Sequence, residues 1–264
     1  MNIEFTKMHG LGNDFIVINN MNGRIKLSTE QVVFLCNRFI GVGADGVILV
    51  EKSDKAHCFM NYINADGTYA EMCGNGVRCT AKFLRDDFFK DQNDFKIDTR
   101  AGIKEVKYYS KDKTFSVNMG KPIFKHSDFP ENSLDLEGLS LDFVSVGNPH
   151  AVAFVENLNN YNISFIGPRI ENDKHFPNKI NFHIVQKKSE KEFDVLTWER
   201  GCGATLACGT GACAVYAILR KYKNTSTPLI IGLPGGKLFI SENEEGVIIM
   251  SGPAESVFSA IISL

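Results

Sequence analysis

The sequence predicts an α/β (α+β) protein built as two similar domains, each a strand layer wrapped around a central helix. Three observations point there. The chain of 264 residues repeats itself. Short runs rich in Val, Ile and Phe, bounded by turn residues, recur along both halves. Each half also carries one mostly apolar segment of helical length directly after a cysteine–glycine turn, and a helix with so little polar face has to be surrounded.

The repeat is readable in the landmarks. "GNDFIVI" begins at Gly12 and "GNPHAVAF" at Gly147. Asn13 and Cys73 stand 60 residues apart, as do Asn148 and Cys208, so both landmarks move by 135. The same shift relates Gly76 to Gly211 and Leu84 to Leu219. Beyond the second turn "RAGIKEV" (100–106) and "PGGKLFI" (234–240) align only after a one-residue slip, as a loop deletion would produce. The pattern reads as an internal duplication.

The elements follow in order. "DFIVIN", "GVILVE", "AVAFVE" and "PLIIGL" read as strands. Residues 28–39, "STEQVVFLCNRF", read as a helix capped by Ser28 or Thr29, with Leu35 and Phe39 on its inner face. Residues 76–89 and 211–222 are the two central helices. The charge run "KKSEKEFD" (187–194) reads as a solvated turn between strands, and "NMGKPI" (118–123) as the boundary between halves.

Composition narrows the function classes. Apolar residues make up 44% of the chain, enough for buried cores, and the formal charge of −2 comes from interspersed acids and bases. That balance argues against nucleic acid or a membrane surface as a partner. No apolar run approaches the roughly 20 residues of a membrane span. The opening "MNIEFTKMHG" lacks the layout of a signal peptide. Seven cysteines, an odd number in a long chain, suggest a reducing setting, and the expected location is cytoplasmic.

The two cysteine turns, "EMCGNGVRC" and "LACGTGACA", carry the chemistry. A helix N-terminus offers unpaired N–H groups and the positive end of the helix dipole. Glycines at 74, 76, 209 and 211 let the backbone approach a ligand, so each turn can hold an anion and stabilise a thiolate. A thiol titrates near ~8.5, within reach of base catalysis near neutral pH. Two such turns facing one another across a cleft between the domains would grip one carboxylate and place a sulfur on each face of the adjacent carbon. That arrangement suits inversion of a stereocentre. Cys36, Cys58, Cys79 and Cys213 read instead as small buried hydrophobes, and Cys202, in "RGCGAT", as a polar-turn residue. The cysteine spacings match no common zinc pattern, so no metal is expected. The absence of a C-x-x-C motif argues against a redox pair.

These residues resemble the diaminopimelate epimerases. The matching pieces are "KMHGLGNDF" (7–15), "GVGADG" (41–46), "NADG" (64–67), "MCGNGVRC" (72–79), "GNPH" (147–150), "WERGCGATLACGTGA" (198–212) and "LPGG" (233–236), in the family's order along the whole chain. The resemblance implies a cofactor-independent epimerase that interconverts LL- and meso-diaminopimelate, for lysine and peptidoglycan precursors, without pyridoxal phosphate or metal. It implies that Cys73 and Cys208 form the thiolate–thiol pair, with His150 and Glu199 assisting proton transfer. The N–H groups of Gly74, Asn75, Gly209 and Thr210 would hold the reacting carboxylate, and Asn13 would lie beside that amino acid head. Asn64, Asn148, Asn181 and Arg200 would meet the distal carboxylate, and Glu199 the distal ammonium. The resemblance also returns the closing strand to the first half, giving domains of 1–120 plus 255–264 and of 121–254, and it allows a homodimer.

Two departures from the family pattern stand out. Gly46 replaces a glutamine found in some members, and "GCGAT" replaces the usual "GAGET", putting Cys202 and Ala204 in place of a small residue and a glutamate. The competing readings are a related proline- or histidine-type racemase and a non-catalytic anion-binding or thiol-redox protein. Asn75, where proline-type racemases carry histidine, disfavours the proline type, and Asn64 and Arg200, which suit a second amino acid head, disfavour the histidine type. The second predicts no exchange of an α-proton.

Overall fold

The computed structural model describes residues 1–223, 225 and 227–264, and these divide into two compact units, 1–117 with 252–264 and 118–251. Unit 1 opens with β1 (Asn2–Gly10), β2 (Asn13–Asn20), α1 (Thr29–Cys36), β3 (Gly46–Glu51) and β4 (Cys58–Asn64). Then come α2 (Gly74–Asp87), β5 (Asp94–Asp98), β6 (Lys104–Tyr109) and β7 (Thr114–Gly120). Unit 2 contains β8 (Leu134–Leu136), β9 (Leu139–Ser145), β10 (Pro149–Val155), α3 (Ile163–Glu171), β11 (Asn181–Lys187) and β12 (Glu192–Glu199). It continues with β13 (Gly203–Thr205), α4 (Gly209–Lys223), β14 (Leu229–Leu233), β15 (Gly236–Glu242) and β16 (Ile248–Gly252). The last strand, β17 (Glu255–Ser263), pairs antiparallel with β1.

The strand pairings of the two units repeat in register. Phe15 lies opposite Gly46 in the parallel β2/β3 pair, and His150 opposite Asn181 in the parallel β10/β11 pair. Val47 faces Ile63 across β3/β4, and Phe182 faces Trp198 across β11/β12. Each residue has moved by 135. In β4/β5 Cys58 pairs with Ile97, whereas Phe193 pairs with Ile231 in β12/β14. The one-residue slip seen in the sequence therefore falls after the second cysteine turn.

In unit 1 the run "FIVI" of β2 is wholly buried because both faces of its sheet are covered. Ile16 and Ile18 pack with Val47, Leu49, Val32 and Leu35 under α1, while α2 lies on the other side in contact with β1 through β6 and β17. In unit 2 Ala151, Ala153, Phe182 and Ile184 pack with Ile170 of α3, and α4 contacts β9, β10, β11 and β15. Each strand layer thus wraps a buried helix.

Helix α1 starts where expected. Ser28 accepts from Gln31 N, and the Gln31 side chain accepts in return from Ser28 N, a complete capping box. It ends earlier than the sequence suggests. Asn37 leaves the helical region, and its side chain accepts from Phe39 N and Ile40 N. Phe39 therefore sits in a turn and is 97% exposed, not on an inner helical face. The two central helices begin two residues before their expected starts. The charge run behaves as expected, with residues 188–191 turning between β11 and β12. No helix among the described residues is long and apolar enough to cross a membrane.

Candidate active site

Each unit presents a cysteine immediately before its central helix. Cys73 is the N-cap of α2, with extended backbone (φ −140°, ψ 119°), and its sulfur accepts from Gly76 N at 3.5 Å. Sulfur is a weak acceptor, so this cap stabilises the helix less than Ser or Asp would. What holds α2 is burial of most of its residues, in spite of two glycines in its first turn. In unit 2 Cys208 Sγ accepts from Gly211 N at 3.3 Å and lies 3.5 Å from Thr210 Oγ1.

Around Cys73 the groups are amides and a carboxylate. The thiol donates to Asn13 Oδ1 at 3.4 Å, and Asn75 Nδ2 donates to the same oxygen at 3.0 Å. Asn13 Nδ2 donates to Asp45 Oδ2 at 2.7 Å. Arg38 bridges Asp14 and Asp45, and Lys7 pairs with Asp14 at 2.6 Å. Burial raises the Asp14 pKa, but the hydrogen bonds from Arg38 and Lys7 outweigh it and leave the carboxyl below its usual value. The fully buried Arg78 donates through Nη2 to Asn75 Oδ1 at 2.9 Å and through Nε to Pro253 O at 3.1 Å.

Around Cys208 the supports are a glutamate and two histidines. Burial pushes the Cys208 thiol well above its ordinary value, and the nearby Glu199 carboxylate adds to the rise. Hydrogen bonds from Thr210 and Gly211 N oppose it. Glu199 Oε1 accepts from Thr205 Oγ1 at 2.6 Å. His150 Nε2 is 2.9 Å from Asn148 Oδ1, its Nδ1 is 2.8 Å from His183 Nε2, and His183 Nδ1 is 3.1 Å from Thr197 Oγ1. With Asn148 Oδ1 as the acceptor, His150 carries its proton on Nε2. His183 Nε2–H then donates to His150 Nδ1, and the Thr197 hydroxyl to His183 Nδ1. Both rings are fully buried. Burial, then His183 and Arg200, lower the His150 pKa well below its usual value, and burial alone lowers that of His183 to about 3. Both are neutral at physiological pH.

Two close approaches explain glycines. A Cβ on Gly211 would run into the His183 ring. A Cβ on Gly46 would stand 2.5 Å from Ile63 O and from the Tyr62 ring. Tyr62 thus fills the space into which a glutamine at position 46 would have to be built.

The expected site residues fall into three groups, with Asn64 standing apart. Cys73, Gly74, Asn75 and Asn13 come together in unit 1. Asn64, at the end of β4, donates instead through Nδ2 to Thr68 Oγ1 at 3.0 Å. In unit 2 Asn181 donates to Pro149 O and accepts from Arg200 N, so Asn148, His150, Asn181 and Arg200 form one neighbourhood. Glu199, Cys208, Gly209 and Thr210 form the other side of that unit's turn. Cys36, Cys58, Cys79 and Cys213 are buried, and Cys202 is exposed; burial raises the first three thiols to about 11, 12 and 12.

Residues missed by the sequence reading are His183, Thr197, Asp45 and Glu171. Glu171 accepts from Trp198 Nε1 at 2.7 Å and from Gly201 N at 3.0 Å. It steadies the turn at Gly201 that leads into β13, where Ala204 stands exposed. A His inside the apolar run "NFHIV" was the available signal for His183.

A duplicated α/β unit bearing a capped cysteine helix places the chain in a fold shared with known epimerases and their kin. A PhzF-family phenazine biosynthesis protein of Bacillus anthracis matches it with a TM-score of 0.77 at 18% identity, covering all of both chains. A hydroxyproline epimerase of Agrobacterium vitis, solved with bound trans-4-hydroxy-L-proline, matches with a TM-score of 0.72 at 13% identity, over 99% of this chain and 91% of the other. These likenesses establish the fold. The family described as Diaminopimelate epimerase matches residues 5–125 and 143–257. The diaminopimelate epimerase of Halothermothrix orenii is 42% identical over 280 residues, 99% of this chain and 98% of that protein. The chain belongs to the diaminopimelate epimerase family and is an isomerase.

Proposed function

We propose that the protein interconverts LL- and meso-diaminopimelate by moving a proton between the two faces of one α-carbon, with Cys73 and Cys208 as the two carriers. The observation that carries this reading is the pair of equivalent thiols. Each stands at the N-terminus of a buried helix, with the N–H three residues on directed at its sulfur. One cysteine takes the α-proton as thiolate while the other, as thiol, delivers one to the opposite face. Roles exchange in the reverse direction.

The α-proton is weakly acidic, so the carbanion needs electrostatic support. The N–H groups of Gly74 and Asn75, with those of Gly209 and Thr210, supply it at the carboxylate, aided by the helix dipoles. Asn13 presents an amide to the reacting head. Asn64, Asn148, Asn181 and Arg200 bind the distal carboxylate, for which the planar guanidinium is well suited, and Glu199 takes the distal ammonium. Neutral His150 contributes as a fixed hydrogen-bond donor that orients Asn148, since its lowered pKa leaves the ring without its second proton near neutral pH. No cofactor enters this scheme. Turnover of LL-diaminopimelate against a panel of amino acids with one carboxylate tests the substrate. Equal turnover of proline or histidine contradicts the assignment.

A further inference from the structure

We infer that Asp45 and Arg78 are positioning residues that clamp the Asn13 amide with its oxygen on Cys73, so that Cys73 rests as a hydrogen-bonded thiol in the unliganded protein. The inference builds on the reading of Cys73 as a proton carrier. An amide has two near-identical ends, and here both orientations are dictated by groups of fixed polarity. A guanidinium only donates, so Arg78 Nη2, 2.9 Å away, requires the oxygen of Asn75 to face it. The Asn75 Nδ2 must then point at Asn13, 3.0 Å from its oxygen. At the other end a carboxylate only accepts. The Asp45 carboxylate, paired with Arg38 at 2.7 Å, takes Asn13 Nδ2 at 2.7 Å on an oxygen that also accepts from Asp14 N. The two constraints agree, and held together they turn Asn13 Oδ1 toward Cys73 Sγ, 3.4 Å away.

A carbonyl oxygen stabilises S–H and repels a thiolate, in opposition to Gly76 N–H on the same sulfur. Unit 2 lacks the device, because the position equivalent to Asp45 is the buried Ile180. The other charged or titratable groups around this cluster include Lys7 on β1, Asp14 on β2, Cys36 on α1, Arg38 in the loop after α1, and Cys79 and Lys82 on α2.

The test uses the full chain carrying Cys208→Ser and follows alkylation of Cys73 by iodoacetamide against pH, read by mass spectrometry of its peptide. Asp45→Asn can offer an N–H to Asn13 and let the amide turn its nitrogen to the sulfur. Alkylation below the midpoint should then speed up about tenfold, one pKa unit. Asp14→Asn removes the same charge from the same cluster without freeing the amide, and should change the rate by less than half as much. Equal effects of the two variants, or no effect of Asp45→Asn, overturn the inference. An infrared difference between Cys208→Ser and the Cys73→Ser/Cys208→Ser double variant isolates the Cys73 S–H stretch without touching position 45. A band shifted to the hydrogen-bonded position at neutral pH supports the clamp, and a free-thiol band or no band refutes it. Neither readout depends on epimerisation, so loss of the clamp and loss of the proposed reaction are told apart.

Discussion

The two cysteine turns are the same backbone device resting on different floors. In unit 1 the turn lies over Ile48, whose Cδ1 would be 3.2 Å from a Cβ on Gly76. In unit 2 the residue 135 further on is His183, packed directly against Gly211. The partner strands differ in the same way, for Phe15 in unit 1 corresponds to His150 in unit 2. Duplication supplied two helix termini, and later divergence of the residues under them gave one an aliphatic bed with a carboxylate–amide clamp. The other acquired a buried histidine pair and a glutamate. Two proton carriers that alternate as acid and base, as proposed for Cys73 and Cys208, do not need identical surroundings. They need thiols that can each reach both protonation states.

Removing either sulfur is the most severe way to break the pairing. Cys73→Ala and Cys208→Ala should each lower epimerisation by about 10³-fold or more, within the range that a positioned acid or base supplies. Circular dichroism should show both variants folded. If one variant keeps the parent rate, the two turns are not equivalent in function.

The histidine pair predicts a pH response confined to unit 2. His183 titrates at about 3 when folded, against about 6.5 for an unperturbed histidine, and His150 is lowered in the same direction. The unfolded chain therefore binds more protons than the native one below pH 6.5. Stability is fully present above that value and falls by about 1.4 kcal/mol per pH unit for each ring as the medium is acidified toward the folded pKa. Trp198 is the chain's one tryptophan and lies in unit 2, so its fluorescence in urea at pH 7 and pH 5 reports this. His183→Gln should flatten the slope. Asp14, also lowered, loses its contribution only as pH falls below the ordinary carboxylate range, so unit 1 should hold its stability to lower pH.

The equivalent glycines sharpen the contrast. Gly211→Ala drives a methyl into a buried imidazole and should cost about 1–3 kcal/mol, seen as a lower urea midpoint. Gly76→Ala meets a flexible Ile48 terminus and should cost distinctly less. The smallest effect belongs to the capping box, which the duplicated helix α3 does not share. Ser28→Ala should destabilise unit 1 by about 1 kcal/mol, while Trp198 fluorescence stays unchanged over the same range.

Much of this was legible in the chain because it is local or repetitive. The shift from Asn13 to Asn148 and from Cys73 to Cys208 predicts matching strand registers, and the slip at "PGGKLFI" returns as the offset pairing of Phe193 with Ile231. Ser28 announces α1 by its spacing from Gln31. Phe39 was misplaced because a helical period continues past Asn37, whose side chain turns the backbone instead. His183, Thr197 and Asp45 stayed hidden for another reason. Their roles exist only when β10 lies parallel to β11, or when the loop before β3 reaches back to Asn13, and no local spacing encodes those partners.

The claim that two thiols work from opposite faces is tested most directly by the first turnovers of LL-diaminopimelate in deuterium oxide. The account predicts deuterium at the inverted α-carbon of the meso product and none in the unreacted LL substrate. Product that keeps the original protium, as a single base carrying one proton across would give, contradicts it.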